Sequence, residues 1–326
     1  MRKYTTEFGL NVYTSYKTVI PAAHLEILEK VDSHKYHIYG ILLAPKVFIK
    51  EESVVKHRDY FSIILFAYME DKYTEYTVNV KLAEDLDHRK VCVKSTYPHT
   101  LLKLTIEDDE WCNVHSIDNY FELHAMEVFD QYAVHLMPRI KYKVLYIGQS
   151  YGKRGERSAI ERLSSHETFQ KILIDVQRNY PEYEIKIMLL EMECNLGVGI
   201  DTITASTKKS DEEDRSHIEA VLSHLPEEQQ IINITEAAMI NYFKPPYNST
   251  FVENFPCPKH KSYKQYYELD YNDLTIELDM EFDCFPDIEL FTDTARIASV
   301  WDFIHYQLEN DSERDSMYSM FRDKRQ

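Results

Sequence analysis

Runs of β-branched and aromatic residues dominate the first 125 positions: Tyr36 to Ile49, Phe61 to Tyr68, Tyr76 to Leu82, Lys90 to Lys94 and Leu101 to Ile106. Charged or Pro-containing turns separate them, so this segment predicts an antiparallel sheet. One helix is predicted inside it, from Pro21 to about Val31, with Leu25, Ile27 and Leu28 on its apolar side. Asn119 to Asp130 fits helix or strand equally. The pattern then changes to strand, strand, helix, strand, helix. Gln131 to Met137 reads as a strand, Pro138 to Lys141 as a turn, and Tyr142 to Ile147 as the returning strand. Ser158 and Glu161 have the spacing of a capping box. Ile160, Leu163, Leu173 and Val176 keep roughly helical spacing, so a helix is predicted over Ser158 to Arg178. Glu184 to Glu191 reads as a third strand. Thr235 is placed to cap a short helix that Pro245 ends, with Glu236, Ile240 and Phe243 on one face.

Cys194 to Gln230 interrupts this order and reads as an insertion, with a solvated charge run at 208–214 and a helix near His217 to Leu225. Phe255-Pro256-Cys257-Pro258 reads as a linker. Tyr271 to Met280 alternates apolar and polar residues and predicts a strand; Ile288 to Phe291 predicts another, and Ala295 to Leu308 a helix. The expected organisation is therefore α+β in three parts. These are a β-rich N-terminal domain (1–125), a central domain (126–255) with its insertion at 194–230, and an α/β C-terminal extension (256–326). A length of 326 residues with 44% hydrophobic residues is enough for more than one core.

Composition removes several function classes. Only seven glycines are present, and no Gly-rich dinucleotide or P-loop pattern occurs. No apolar run approaches the length of a membrane span, and the N-terminus lacks the apolar centre of a signal peptide. The five cysteines are scattered without a C-x-x-C pair, as expected of free thiols in a reducing cytoplasm. The net charge of −18 opposes nucleic-acid binding unless the charge is segregated. It is segregated. Gln131 to Arg178 carries nine Lys/Arg against four Asp/Glu, whereas Tyr263 to the end carries six against sixteen.

The candidate chemistry lies in that basic stretch. Tyr146-Ile147-Gly148 ends a strand. A loop carrying Gln149, Lys153, Arg154 and Arg157 follows, and then Arg162 and His166, four apart and so on one helix face. Far downstream, Glu236 is the acidic member of an otherwise mostly apolar helix, and Asn248 follows it by twelve positions, past a Pro-Pro turn. Taken singly, each has a structural reading: a packed strand tyrosine, a solvated arginine, a surface histidine, a helix-dipole carboxylate and a turn asparagine. Taken together they match what a phosphodiester requires, namely charge neutralisation, proton transfer and a hard-metal ligand.

In that order these residues resemble the GIY-YIG nucleases, and the Arg162–His166 and Glu236–Asn248 spacings resemble the restriction-endonuclease-like branch. The resemblance covers about residues 130–250 and implies a three-stranded sheet flanked by helices. Its second half-motif is intact at Tyr146 to Gly148. Its first half-motif is expected about eleven residues before Tyr146, where His135 stands in Ala133-Val134-His135; Tyr132 is the nearest tyrosine. The implied activity is metal-dependent DNA endonuclease cleavage of a restriction or genome-defence kind, in the cytoplasm. Mg²⁺ or Mn²⁺ would sit on Glu236 and Arg162 would clamp the phosphate. Tyr146, His135 or Tyr132 would take the water's proton, His166 would relay it, and Asn248 would fix the geometry. Lys153, Arg154, Arg157 and Gln149 would contact the strand. RNA stays open as a substrate, and cutting two strands would favour a homodimer. The degenerate first half-motif and the acidic charge support the alternative, a catalytically decayed fold that binds nucleic acid or protein.

Overall fold

A computed structural model describes the chain apart from residues 26–27, 29–32, 70–71, 134–138, 150–161, 164–166, 201–206, 282–286, 298–300, 309–313 and 319–326. Strands β1 (Thr6–Pro21) and β2 (Ile38–Pro45) come first. A β-rich unit follows: β3 (Val47–Ile49), β4 (Val55–Lys56), β5 (Tyr60–Met69), β6 (Lys72–Lys81), β7 (Val91–Ser95), β8 (Leu101–Ile106), helix α1 (Asp109–His115), β9 (Tyr120–His124) and helix α2 (Ala125–Ala133). Then come β10 (Arg139–Gln149), helix α3 (Glu167–Asn179), β11 (Tyr183–Ile200), and helices α4 (Asp211–Ser223), α5 (Glu228–Phe243) and α6 (Gln265–Glu268). Strands β12 (Asp273–Asp279), β13 (Asp287–Phe291), β14 (Arg296–Ile297) and β15 (Trp301–Gln307) close the chain.

The fold is α+β, dominated by an eight-stranded mixed sheet in the order β14-β13-β10-β2-β11-β1-β12-β15. Strand β2 sits in its middle because its sequence, IYGILLAP, has no polar face, and every residue of it is buried. Such a continuous apolar run needs cover on both sides. On one side Tyr39, Ile41 and Leu43 pack with Phe169, Ile172 and Val176 of α3. Each fully buried side chain of that size contributes about 1.5–3 kcal/mol. On the other side Ile38, Leu42 and Ala44 pack with α5, which is apolar almost all round and correspondingly buried.

Strand β2 pairs antiparallel with both β10 and β11. Between β2 and β10 the chain builds two further sheets, β3-β5-β4 with β6 on β5, and β7-β8-β9. A buried ion pair ties this unit to the large sheet: Lys186 Nζ of β11 lies 2.8 Å from Asp130 Oδ2 of α2 and donates to the Tyr142 hydroxyl at 3.1 Å. At the far end, Arg314 is buried against Glu7 and Asp270 and joins the two ends of the chain. Cys92, Cys112, Cys194 and Cys257 are free thiols. Among the described residues no helix is long and apolar enough to cross a membrane.

Several expectations are corrected here. The strand expected over 131–137 is not formed by its first residues: Ala125 to Ala133 is helical, and the Glu127 carboxylate caps the His124 N–H. Ala125, Met126, Val128 and Phe129 supply the apolar face of that turn of chain. The strand that returns beside β10 is therefore β2, far upstream. Thr235 caps no helix. It lies inside α5, fully buried, and its hydroxyl donates to the Ile231 carbonyl at 2.7 Å. Cys194 to Ile200 is not an insertion but the second half of β11, paired with β1. The helix expected over 295–308 is replaced by β14 and β15, where exposed Phe303 and His305 alternate with buried Ile304. The expected boundaries at 125/126 and 255/256 divide one sheet, since strands from all three parts share it.

Candidate active site

The site lies where β2 begins and β10 ends. Strand β10 carries one extra residue, Leu145, between the pairs Val144–Leu42 and Tyr146–Ile41. Such a bulge re-aims the side chains beyond it. As a result Gly148 lies directly opposite Tyr39, and Tyr146 joins Tyr39 on the α3 side of the sheet. The two rings are stacked, with centroids 6.1 Å apart. Gly148 makes this arrangement possible. A methyl group there would come within 2.6 Å of the Tyr39 hydroxyl and 2.8 Å of the Tyr146 ring.

Two further groups act on the phenols. The Arg162 guanidinium is close enough to favour the ionised forms of Tyr39, Tyr146 and Glu236 alike, while the Glu236 carboxylate opposes ionisation of both phenols. Burial is the largest influence on Tyr39, Tyr146 and Glu236. It raises the Tyr39 hydroxyl well above its usual range, and raises Tyr146 less. The two phenols also act on each other: the charge of an ionised Tyr146 and, less, the interaction between the two hydroxyls raise Tyr39, and that interaction lowers Tyr146.

Glu236 sits mid-helix on α5, half-buried, and burial pushes its carboxyl up to about 7. The Gln149 backbone N–H and side chain hold the carboxylate and oppose that rise. Gln149 is itself oriented: its Nε2 donates to Asn233 Oδ1 at 3.2 Å, and Asn233 Nδ2 donates to the Ser262 carbonyl at 3.0 Å. Its Oε1 is buried and has no hydrogen-bond partner among the described residues. Asn248 completes the frame. Its amide accepts from the Ile147 N–H at 2.9 Å and donates to the Ile147 carbonyl at 2.8 Å, as a neighbouring strand would. The Tyr247 N–H bonds the Leu145 carbonyl beside it at 3.1 Å. The Pro245–Asn248 turn thus seals the edge of β10 that β13 leaves uncovered.

Of the residues the sequence singled out, Tyr146, Arg162, Glu236, Asn248 and Gln149 come together here. Tyr132 does not. It lies in the last turn of α2 and packs with the core on the opposite face of β2. His135, Lys153, Arg154, Arg157 and His166 lie outside the described residues. Tyr39 is the residue that sequence reasoning missed. Its signal was the Ile38-Tyr39-Gly40 triplet at the head of the most apolar strand, visible only if the partner of β10 is allowed to lie 107 positions upstream, from 146 to 39.

For a divalent metal, the donors are Glu236 and the Gln149 Oε1 beside it. These are hard oxygens, and Mg²⁺ needs only one or two carboxylates because it keeps most of its waters. Among the described residues no group of three His, Cys, Asp or Glu converges, so a fully protein-built cage is not what the donors resemble. The donor set fits a water-rich ion. Compared with protein-family models, with curated proteins and with solved structures, the chain finds no match in any of the three.

Proposed function

We propose that this chain is a metal-dependent endonuclease of GIY-YIG type, hydrolysing DNA phosphodiester bonds in a restriction or genome-defence role. What supports this reading is the stacking of Tyr39 and Tyr146 over Gly148, with Arg162 and Glu236 near enough to influence both phenols, at one end of three antiparallel strands. Under this reading the first half-motif is His37-Ile38-Tyr39, not the segment around His135. The small sheet of the family corresponds to β10-β2-β11, with the β-rich unit inserted between its first two strands. The first half-motif then has its tyrosine, with His37 at the glycine position, and the alternative of a decayed fold loses its main support, the missing tyrosine.

Each residue has a task. Arg162 clamps two phosphoryl oxygens with its planar guanidinium and neutralises charge that builds in the transition state. Tyr146 is the group to accept the proton of the attacking water once it is ionised: burial and the Glu236 charge hold its phenol above the usual range, and the Tyr39 hydroxyl and Arg162 oppose that rise. Tyr39 fixes that oxygen, and Gly148 leaves room for both rings. Gln149 and Asn233 hold the Glu236 carboxylate in place, and Asn248 holds the strand that carries Tyr146. A divalent cation held by Glu236 would supply Lewis acidity at the phosphate and leaving oxygen and would draw the neighbouring phenols toward ionisation. The tasks of His166, Lys153, Arg154 and Arg157, and a homodimer for two-strand cutting, remain as the resemblance implies them.

The test is nicking of supercoiled plasmid with Mg²⁺ or Mn²⁺. The wild type is expected to nick, and Glu236→Ala to lose at least about 100-fold in rate while still binding DNA. A fully active Glu236→Ala protein overturns the proposal.

A further inference from the structure

The sheet face that carries Tyr39 carries a second feature at its other end. A cleft of about 720 Å³ opens between the β5–β6 hairpin, the first half of β10 and the segment joining α3 to β11. Tyr68 and Tyr180 each stand edge-to-face with Tyr183 there, with interplanar angles of 84° and 88°. Tyr183 thus meets an aromatic ring near a right angle twice. Among the described residues, every charged side chain lining the cleft is a cation: Lys72, Arg139, Lys141 and Lys143. In a chain of net charge −18 this is a local reversal.

We propose that this cleft holds an unpaired base of a nucleic-acid strand, stacked on its tyrosines, with Lys72 and Arg139 at the flanking phosphates. The inference rests on the nuclease reading for its choice of ligand. Planar aromatic walls beside cations are what a base and its phosphodiester need, and stacking tolerates any base. The cationic field is tempered: Asp293 pairs with Lys143 at 2.8 Å, and Asp287 and Glu289 stand opposite Arg139 and Lys141 on β13. Affinity therefore leans on stacking more than on charge, and the salt dependence should be shallow. Leu43 lines the cleft four residues from Tyr39 on the same strand, roughly 13 Å away. One strand of DNA can reach both.

The experiment uses Glu236→Gln protein, so that nothing is cut, and a short single-stranded oligodeoxynucleotide carrying 2-aminopurine, with its fully paired duplex as the comparison. Binding of the single strand is expected to quench the emission by stacking. Tyr183→Ala and Tyr68→Ala should each weaken single-strand binding roughly 5- to 100-fold and leave duplex binding alone. Lys72→Glu, on an exposed hairpin residue where folding is not at risk, should weaken it several-fold and flatten the salt dependence further. Unquenched emission, or wild-type single-strand affinity in the tyrosine and Lys72 variants, overturns the proposal. Nicking by the wild type is measured separately. A protein that nicks without quenching loses the cleft and keeps the nuclease; one that quenches without nicking does the reverse.

Discussion

Glu236 is a carboxylate kept where burial disfavours its charge, and this has a thermodynamic signature. Its folded pKa, about 7, lies above the unfolded value of about 4.5. The folded state therefore holds the proton more tightly, and stability falls as pH rises from the lower value to the higher, by about 3 kcal/mol through this group. The loss is complete about a unit above the folded pKa. Glu236→Gln has no such titration, so its stability relative to wild type should rise across that window and level off beyond it. Urea unfolding at pH 5 and pH 8 measures the difference. Mg²⁺ at pH 8 should stabilise the wild type and leave the variant unchanged. Equal pH dependence in the two proteins would remove Glu236 as the strained acid of the site. A residue that costs stability in the resting protein fits a role in binding a cation better than a role in holding the fold.

At the scale of elements, what could be read depended on how local the signal was. Tyr146 to Gly148, Glu236 and Asn248 were legible because each belongs to a short segment with its own periodicity and stop. The strands from Tyr60 to Ile106 were legible for the same reason. Tyr39 was not, because the pairing of β2 with β10 spans the whole inserted unit and no local pattern encodes a distant partner. The 295–308 segment misled because Ile297, Trp301, Ile304 and Leu308 fit helical spacing, while the pairing with β12 that makes it a strand is again non-local. The bond between the inserted unit and the large sheet is testable. Asp130→Ala leaves the Lys186 ammonium buried with only the Tyr142 hydroxyl, and should cost about 3 kcal/mol or more. Replacing both, Asp130→Leu with Lys186→Met, should recover most of the loss in a denaturant titration. If the single variant is as stable as wild type, the pair does not anchor α2.

For the whole molecule, one sheet gathers strands from the beginning, middle and end of the chain, so the ends are structural parts of the unit that carries the site. Glu7 is fully buried, and Arg314 is its buried partner. Arg314→Ala should leave that buried carboxylate without its cation, with the Lys3 and Tyr4 N–H groups still donating to it, and lower stability by about 3 kcal/mol, read as a drop in urea midpoint; an unchanged midpoint would mean that the closing segment is dispensable. Acid gathers in the C-terminal quarter, while the charged side chains lining the tyrosine cleft are cations among the described residues, with Asp293 paired to Lys143 at its edge. The account turns on which tyrosine serves the reaction, and one comparison decides it: Mg²⁺-dependent plasmid nicking by Tyr39→Phe and Tyr132→Phe side by side. Tyr39→Phe is expected to lose about 100-fold or more while staying folded, and Tyr132→Phe to match the wild type; full activity in Tyr39→Phe, with loss in Tyr132→Phe, would contradict the site described.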